Sequence, residues 1–354
     1  MRCIVIAGLL VLSPLARAQS AAPPAQLQTI TVTGEQPGPG LWKVTKGDHV
    51  LWILGTVSPL PRDIQWKSKE LDERIAQSQE LITASGIGVK ADVGFFGTLV
   101  LLPSLIGIRN NPDGRHLDEV LPPDLYARWV AAKRKYIGHS NRVEKWRPIF
   151  AALKLYEAAM DRNRLTGADY VAKQVRVDAK RKHLAIVTPQ VMYSIKEPRA
   201  RVKEFKSAPM ADIDCLRKTL ARIDADLANM TARANAWAVG DIDALRALPQ
   251  SDQWSVCLAA VSESGIARKQ GMTDVQARLD AAWIDAARTA LENNASTVAM
   301  VNLRHLLDAD GYLARLTALG FTVEMPAGDS MPAAVQASVG PAQGDHAIEP
   351  AERE

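Results

Sequence analysis

Hydrolytic or metal-dependent chemistry in this chain would have to come from a short inventory of side chains. The six histidines are His49, His116, His139, His183, His305 and His346. No two of them fall at i, i+3 or i, i+4, the spacings that set two imidazoles on one helix face. No G-x-S-x-G elbow, Walker loop, G-x-G-x-x-G after a strand or H-E-x-x-H occurs. Asp308 and Asp310 lack the remaining positions of a calcium loop. Three cysteines are too few for a Cys-rich zinc module or a disulfide-dense scaffold, and none is placed as an evident nucleophile.

The elements that would position such chemistry belong to a globular chain. At 354 residues it holds one large or two interlocked domains, and 47% apolar against 23% charged residues excludes global disorder. A net charge of +4 is too small to imply a nucleic-acid partner. Residues 1–18, MRCIVIAGLLVLSPLARA, read as a signal peptide: Arg2, an apolar run from Ile4 to Leu12, then Ala16-Arg17-Ala18 ahead of cleavage before Gln19. Cys3 precedes the apolar run and is not placed for lipid attachment. Removing Arg2 and Arg17 takes 43 basic residues to 41 against 39 acidic ones. The destination is then periplasmic or secreted, where oxidation is the default. Only Cys215 and Cys257 remain in the mature chain. A bridge between them would close a loop of about 43 residues, for roughly 4 kcal/mol in the chain-entropy account; two separately buried thiols are the alternative.

Residues 19–40 form a leader with one short strand, Gln28 to Thr33, and a turn at Gln36–Gly40. Leu41 to Thr45 and His49 to Leu54 pair as a hairpin across Lys46-Gly47-Asp48. Gly55 to Pro61 is a loop, Lys67 to Ser78 a helix and Glu80 to Ala84 a strand. Val93 to Ile108 is the most apolar internal stretch. As a helix its length of about 24 Å falls short of a bilayer core, and Gly94, Gly97, Pro103 and Gly107 break it. A buried or lid-like helical hairpin is the expectation, with contact to a partner or a membrane surface as the alternative.

Helices follow from Pro122-Pro123, from about Arg142 to Arg162, and from Gly167 to Lys182, then strand Leu184 to Val187. The Lys133-Arg134-Lys135 and Lys180-Arg181-Lys182 runs read as solvated helix ends. Ile213, Leu216, Leu220, Ile223, Leu227 and Met230 repeat at 3-4-3-4-3, a seam that one helix buries against another within the chain. Asp241 is placed to cap a helix from Ile242 to Leu248. A helix from Thr273 to Asn293, strand Thr297 to Val301, helix Leu306 to Leu319 and strand Phe321 to Glu324 complete the domain. Residues 326–354, rich in Pro, Ala and Gly, read as a disordered tail.

Several of these segments carry a resemblance. Leu41-Trp42-Lys43-Val44 with Leu54-Gly55-Thr56-Val57-Ser58 resembles the opening of the TraB/GumN family, which includes the Tiki metalloproteases. Ala234-Asn235-Ala236-Trp237 with Gly240-Asp241 is similar to its Trp-x-x-Gly-Asp segment. Ala299 to Leu307, then Asp310-Gly311-Tyr312-Leu313 and Gly320-Phe321-Thr322-Val323, is similar to its second G-x-x-H-L motif, the next helix and the last strand. The likeness spans about residues 41–325. It implies an α/β (α+β mixed) fold: a central sheet built from N- and C-terminal segments, with a large helical portion at about 93–180 and 212–293.

The resemblance also implies two histidines and strand-end carboxylates holding a divalent metal that activates water. Here Ser58 stands for the first histidine, Ala84 and Thr188 for the carboxylates, and Asn302 for the second glycine; His305 survives. Catalytic metals take about three protein ligands. The remnant-cleft candidates are therefore Ser58, Thr188, Asn302 and His305, with His305 the weak metal candidate. Ser58 would be a nucleophile only with His305 as its base. The reading is a secreted or periplasmic pseudoenzyme, without cofactor, that binds or scaffolds an unnamed protein or peptide partner. It is not transmembrane, and peripheral membrane contact falls to Val93–Ile108. The alternative is a divergent divalent-metal peptidase or hydrolase of the Tiki type.

Overall fold

The computed structural model describes residues 37–91, 101–208, 210–248, 253–262, 265–269, 271–272 and 274–326. The signal segment, the strand at Gln28 to Thr33, residues 93–100 and the tail beyond Pro326 lie outside them.

β1 (Leu41–Lys46) and β2 (His49–Thr56) form the expected hairpin, with Leu41 opposite Leu54 and Lys46 opposite His49. β2 then pairs in parallel with β7 (Ser296–Asn302), so that Thr56 stands beside Asn302. β3 (Glu80–Ile82) lies on the far side of β7, and β5 (Ala185–Val187) beyond it, both parallel. β8 (Thr322–Glu324) closes the other edge against β1. The six-stranded order is β5-β3-β7-β2-β1-β8. The mixed α/β class is as expected, and the sheet joins N- and C-terminal segments. Val298 to Val301 are all buried, as a central parallel strand covered on both faces requires.

α1 (Lys69–Gln77) begins at Ser68, whose Oγ accepts from the Leu71 N–H at 3.2 Å. It packs with α5 (Tyr170–Arg181) beside the sheet, and α11 (Val275–Asn293) crosses β2, β7 and β3. A second core is helical: α2 (Leu117–Val120), α3 (Pro123–Tyr136), α4 (Pro148–Arg162) and α7 (Ile213–Ala238) enclose Trp129, Leu155, Leu216 and Ile223. The 3-4 seam therefore runs along one 26-residue helix and is buried within the chain. α9 (Gln253–Ser262) is tied to α7 by the Cys215–Cys257 disulfide, with both cysteines buried, and the short α10 (Gly265–Lys269) follows it. α8 (Ile242–Ala247) is capped by Asp241, whose Oδ1 accepts from the Ala244 N–H at 2.9 Å.

Several expectations are corrected. The helix expected over Arg142–Arg162 is two elements: a 3-10 turn at Arg142–Lys145, then α4, because Pro148 cannot donate into a preceding turn. The helix expected over Leu306–Leu319 is α12 (Arg304–Leu307) and α13 (Tyr312–Ala318), parted by a bend at 308–311. Lys133 is not a solvated end residue; it is buried and ion-paired with Glu144, which also accepts from Trp129 Nε1 at 3.2 Å. The described part of Val93–Ile108 is no buried hairpin: Leu102–Leu105 is a 3-10 turn, and Ile106 is 77% exposed. The sequence reading also lacked β4 (Gly86–Ala91) and β6 (Gln190–Ile195), which form a separate two-stranded parallel sheet, and the helix α6 (Pro198–Ser207). Among the described residues no helix is long and apolar enough to cross a membrane.

Candidate functional site

Parallel pairing of β5, β3, β7 and β2 brings their carboxyl ends to one edge of the sheet, where ligands gather in open α/β sheets. The packing beneath that edge is tight. A Cβ on Gly55 would lie 2.6 Å from a Leu303 methyl and 3.0 Å from the Trp42 ring, so only glycine fits. Leu303 N–H donates to the Thr56 carbonyl at 2.9 Å, and Thr56 Oγ1 to the Val301 carbonyl at 3.1 Å. Trp237 reaches the same place from α7, packs against Trp66 at a 39° tilt with ring centroids 5.3 Å apart, and hydrogen-bonds the backbone of β2. Gly240 follows with φ +74°, and a Cβ there would meet the Gly40 nitrogen at 3.1 Å. The first and middle motifs thus hold one corner of the fold together.

Among the described residues no hydrogen bond joins any two of the four sequence candidates. Ser58 is half-buried in the loop after β2. Thr188 Oγ1 pairs with Thr83 Oγ1 at 2.8 Å, one hydroxyl satisfying the other. Ala84 is exposed. Asn302 is exposed, and its Oδ1 accepts from the Arg304 N–H at 3.0 Å, which turns the chain into α12. Among the described residues no hydrogen bond joins Ser58 to His305, so a Ser–His relay is not assembled.

His305 faces elsewhere. Its ring stacks on Tyr312 at 4.8 Å between centroids, and its Nδ1 lies 4.0 Å from Asp280 Oδ1. Tyr312 OH donates to that same oxygen at 2.9 Å, as does Gln276 Nε2 at 2.8 Å, while Arg315 stands 3.7 Å from Oδ2. Trp283 stacks behind Tyr312 at 4.6 Å. Asp280 is 7% exposed. Burial holds the His305 imidazole below the usual histidine range, with the Asp280 carboxylate pulling the other way. Burial, and then Asp280, pushes the Tyr312 phenol up. The arrangement is a satisfied polar cluster that joins α11, α12 and α13.

Sequence reasoning missed Asp280, although a signal was there. Leu279, Trp283, Ala287, Ala290 and Leu291 mark the buried face of α11, and Asp280 sits on that face three residues before Trp283. A carboxylate on a buried face needs partners. Side chains near the strand ends supply hydroxyls, one amide and one imidazole, and among the described residues no group of three or more His, Cys, Asp or Glu is placed to hold a metal ion.

Fold and site together define a mixed-sheet α/β protein with paired strand-end motifs clamped by a helical tryptophan. The chain belongs to the TraB/PrgY/gumN family, whose family model matches residues 40–325. No curated protein and no solved structure gives a significant match.

Proposed function

We propose that this chain is a secreted or periplasmic, non-catalytic member of its family that binds or scaffolds a protein or peptide partner. The observation that carries this reading is the fate of His305. The one histidine retained at the motif positions is engaged with Asp280 and Tyr312, while Ser58, Thr188 and Asn302 offer no carboxylate. Hard divalent ions need several convergent oxygen or imidazole donors. The residues at this edge do not fit such an ion. Export is supported by the residue pattern of positions 1–18 and by the Cys215–Cys257 bridge.

The second reading, a divergent metal-dependent peptidase, draws on one feature: Asp280 places a carboxylate beside His305 from a helix instead of a strand end. Cleavage of a generic unfolded protein substrate with added manganese, cobalt or zinc separates the two. The non-catalytic reading expects no cleavage that His305→Ala abolishes. Cleavage lost in both His305→Ala and Asp280→Asn would establish the peptidase.

A further inference from the structure

β4, like the edge strand β5 of the main sheet, buries none of its described side chains. Ile87 and Val89 are 38% and 55% exposed, and Lys90 is exposed. Its partner β6 is anchored, with Val191 and Tyr193 packed on Val275 and Leu279. Parallel strands are ordinarily covered on both faces, and a two-stranded unit is marginal alone. Among the described residues no third strand joins this pair.

The phase of the ladder shows what the free edge offers. Gly86 N–H donates to the Pro189 carbonyl at 2.9 Å, and Gly86 stands opposite Gln190. In a parallel pair alternate residues turn both backbone groups to the partner. Gly86, Gly88 and Lys90 therefore face β6, and Ile87 and Val89 turn their N–H and C=O to the other edge. The groups facing out are a row of backbone donors and acceptors flanked by apolar side chains, which only another extended backbone satisfies in full. Lys90 on β4 and Lys196 just after β6 are exposed at the same end of the ribbon.

We propose that the free edge of β4 is a docking edge for an extended acidic peptide, which adds as a third strand beside Ile87 and Val89 and sets carboxylates against Lys90 and Lys196. This rests on the binding reading above and names its partner class. The probe is reduced, carboxymethylated α-lactalbumin, an unfolded acidic polypeptide, presented to the mature protein. Hydrogen exchange is expected to slow at the Ile87 and Val89 amides on addition of the probe, with no change at Gly88, whose N–H faces β6. Val89→Pro removes one outward N–H while leaving the β6 ladder intact, and is expected to weaken binding about tenfold or more. Val89→Thr keeps that N–H and is expected to bind as the parent does. Absence of binding, binding that leaves both amides unprotected, or amides already protected without the probe would each overturn the proposal. If Val89→Pro fails to fold, the exchange pattern of the unmutated protein decides alone. Metal-dependent cleavage would sink the non-catalytic reading without touching this exchange pattern, so the two failures are distinguishable.

Discussion

The indole Nε1 of Trp237 donates to the carbonyl oxygen of Gly55 at 2.7 Å, joining residues 182 apart in a buried contact. The tryptophan of the middle motif thereby satisfies the backbone of the strand that ends in the first motif. The contact ties the first and middle motifs together through the fold itself.

Trp237→Phe keeps most of the ring volume and removes the donor. The Gly55 carbonyl is then left buried without that partner, which costs about 1–3 kcal/mol. A lower urea midpoint at unchanged slope is the expected readout. An unchanged midpoint would mean the contact is dispensable.

The hairpin, the strands β3, β5 and β7, the capped helix at Asp241 and the seam of α7 were legible in the sequence because each rests on local periodicity or turn chemistry, while the parallel pairing of those strands was not. β4 was not legible, because Gly86, Gly88 and the exposed Ile87 and Val89 carry no burial alternation; β6 was missed although Val191 and Tyr193 alternate with exposed Gln190, Met192 and Ser194. Asp280 was hidden because a single buried carboxylate gives no motif, and the partners that satisfy it, Tyr312 and Arg315, lie beyond β7. Motif order set Ser58, Thr188 and Asn302 after strands of one sheet, but the contact of His305 with Asp280 was legible only in the structure.

Asp226 is fully buried on α7 and accepts from Arg222 Nε, Arg233 Nη1 and Tyr156 OH, each at 2.9 Å. Burial and the Asp226 charge push the Tyr156 phenol up to about 12. Asp226→Ala strands two arginines in the α4–α7 interface and should destabilise by about 3–5 kcal/mol. Chemical denaturation checks it, and a loss below ~1 kcal/mol would show that water replaces the carboxylate.

The Cys215–Cys257 bridge closes a long loop around α8 and ties α9 to α7. The double variant Cys215→Ala, Cys257→Ala should lose about 2–4 kcal/mol. Intact mass after alkylation without reductant should show no free thiol in the mature protein. Two alkylated thiols would contradict the bridge in the exported chain.

Folding lowers the pKa of His305, so between its folded and unfolded values the unfolded chain binds the extra proton. The stability tied to this residue is present above the unfolded value, near 6.5, and is lost as pH falls through the folded one. His305→Gln should flatten that acid limb relative to the parent. Urea midpoints compared across about pH 5 to 8 test this; identical limbs in the two proteins would place the sensitivity elsewhere.

Whether the strand-end edge holds a catalytic divalent metal is read from thermal unfolding with added manganese, cobalt or zinc. A metal bound at 100 times its dissociation constant stabilises by about 2.7 kcal/mol, a visible shift. No shift is expected with any of the three. A stoichiometric metal that raises the unfolding temperature and is lost on His305→Ala would contradict that expectation.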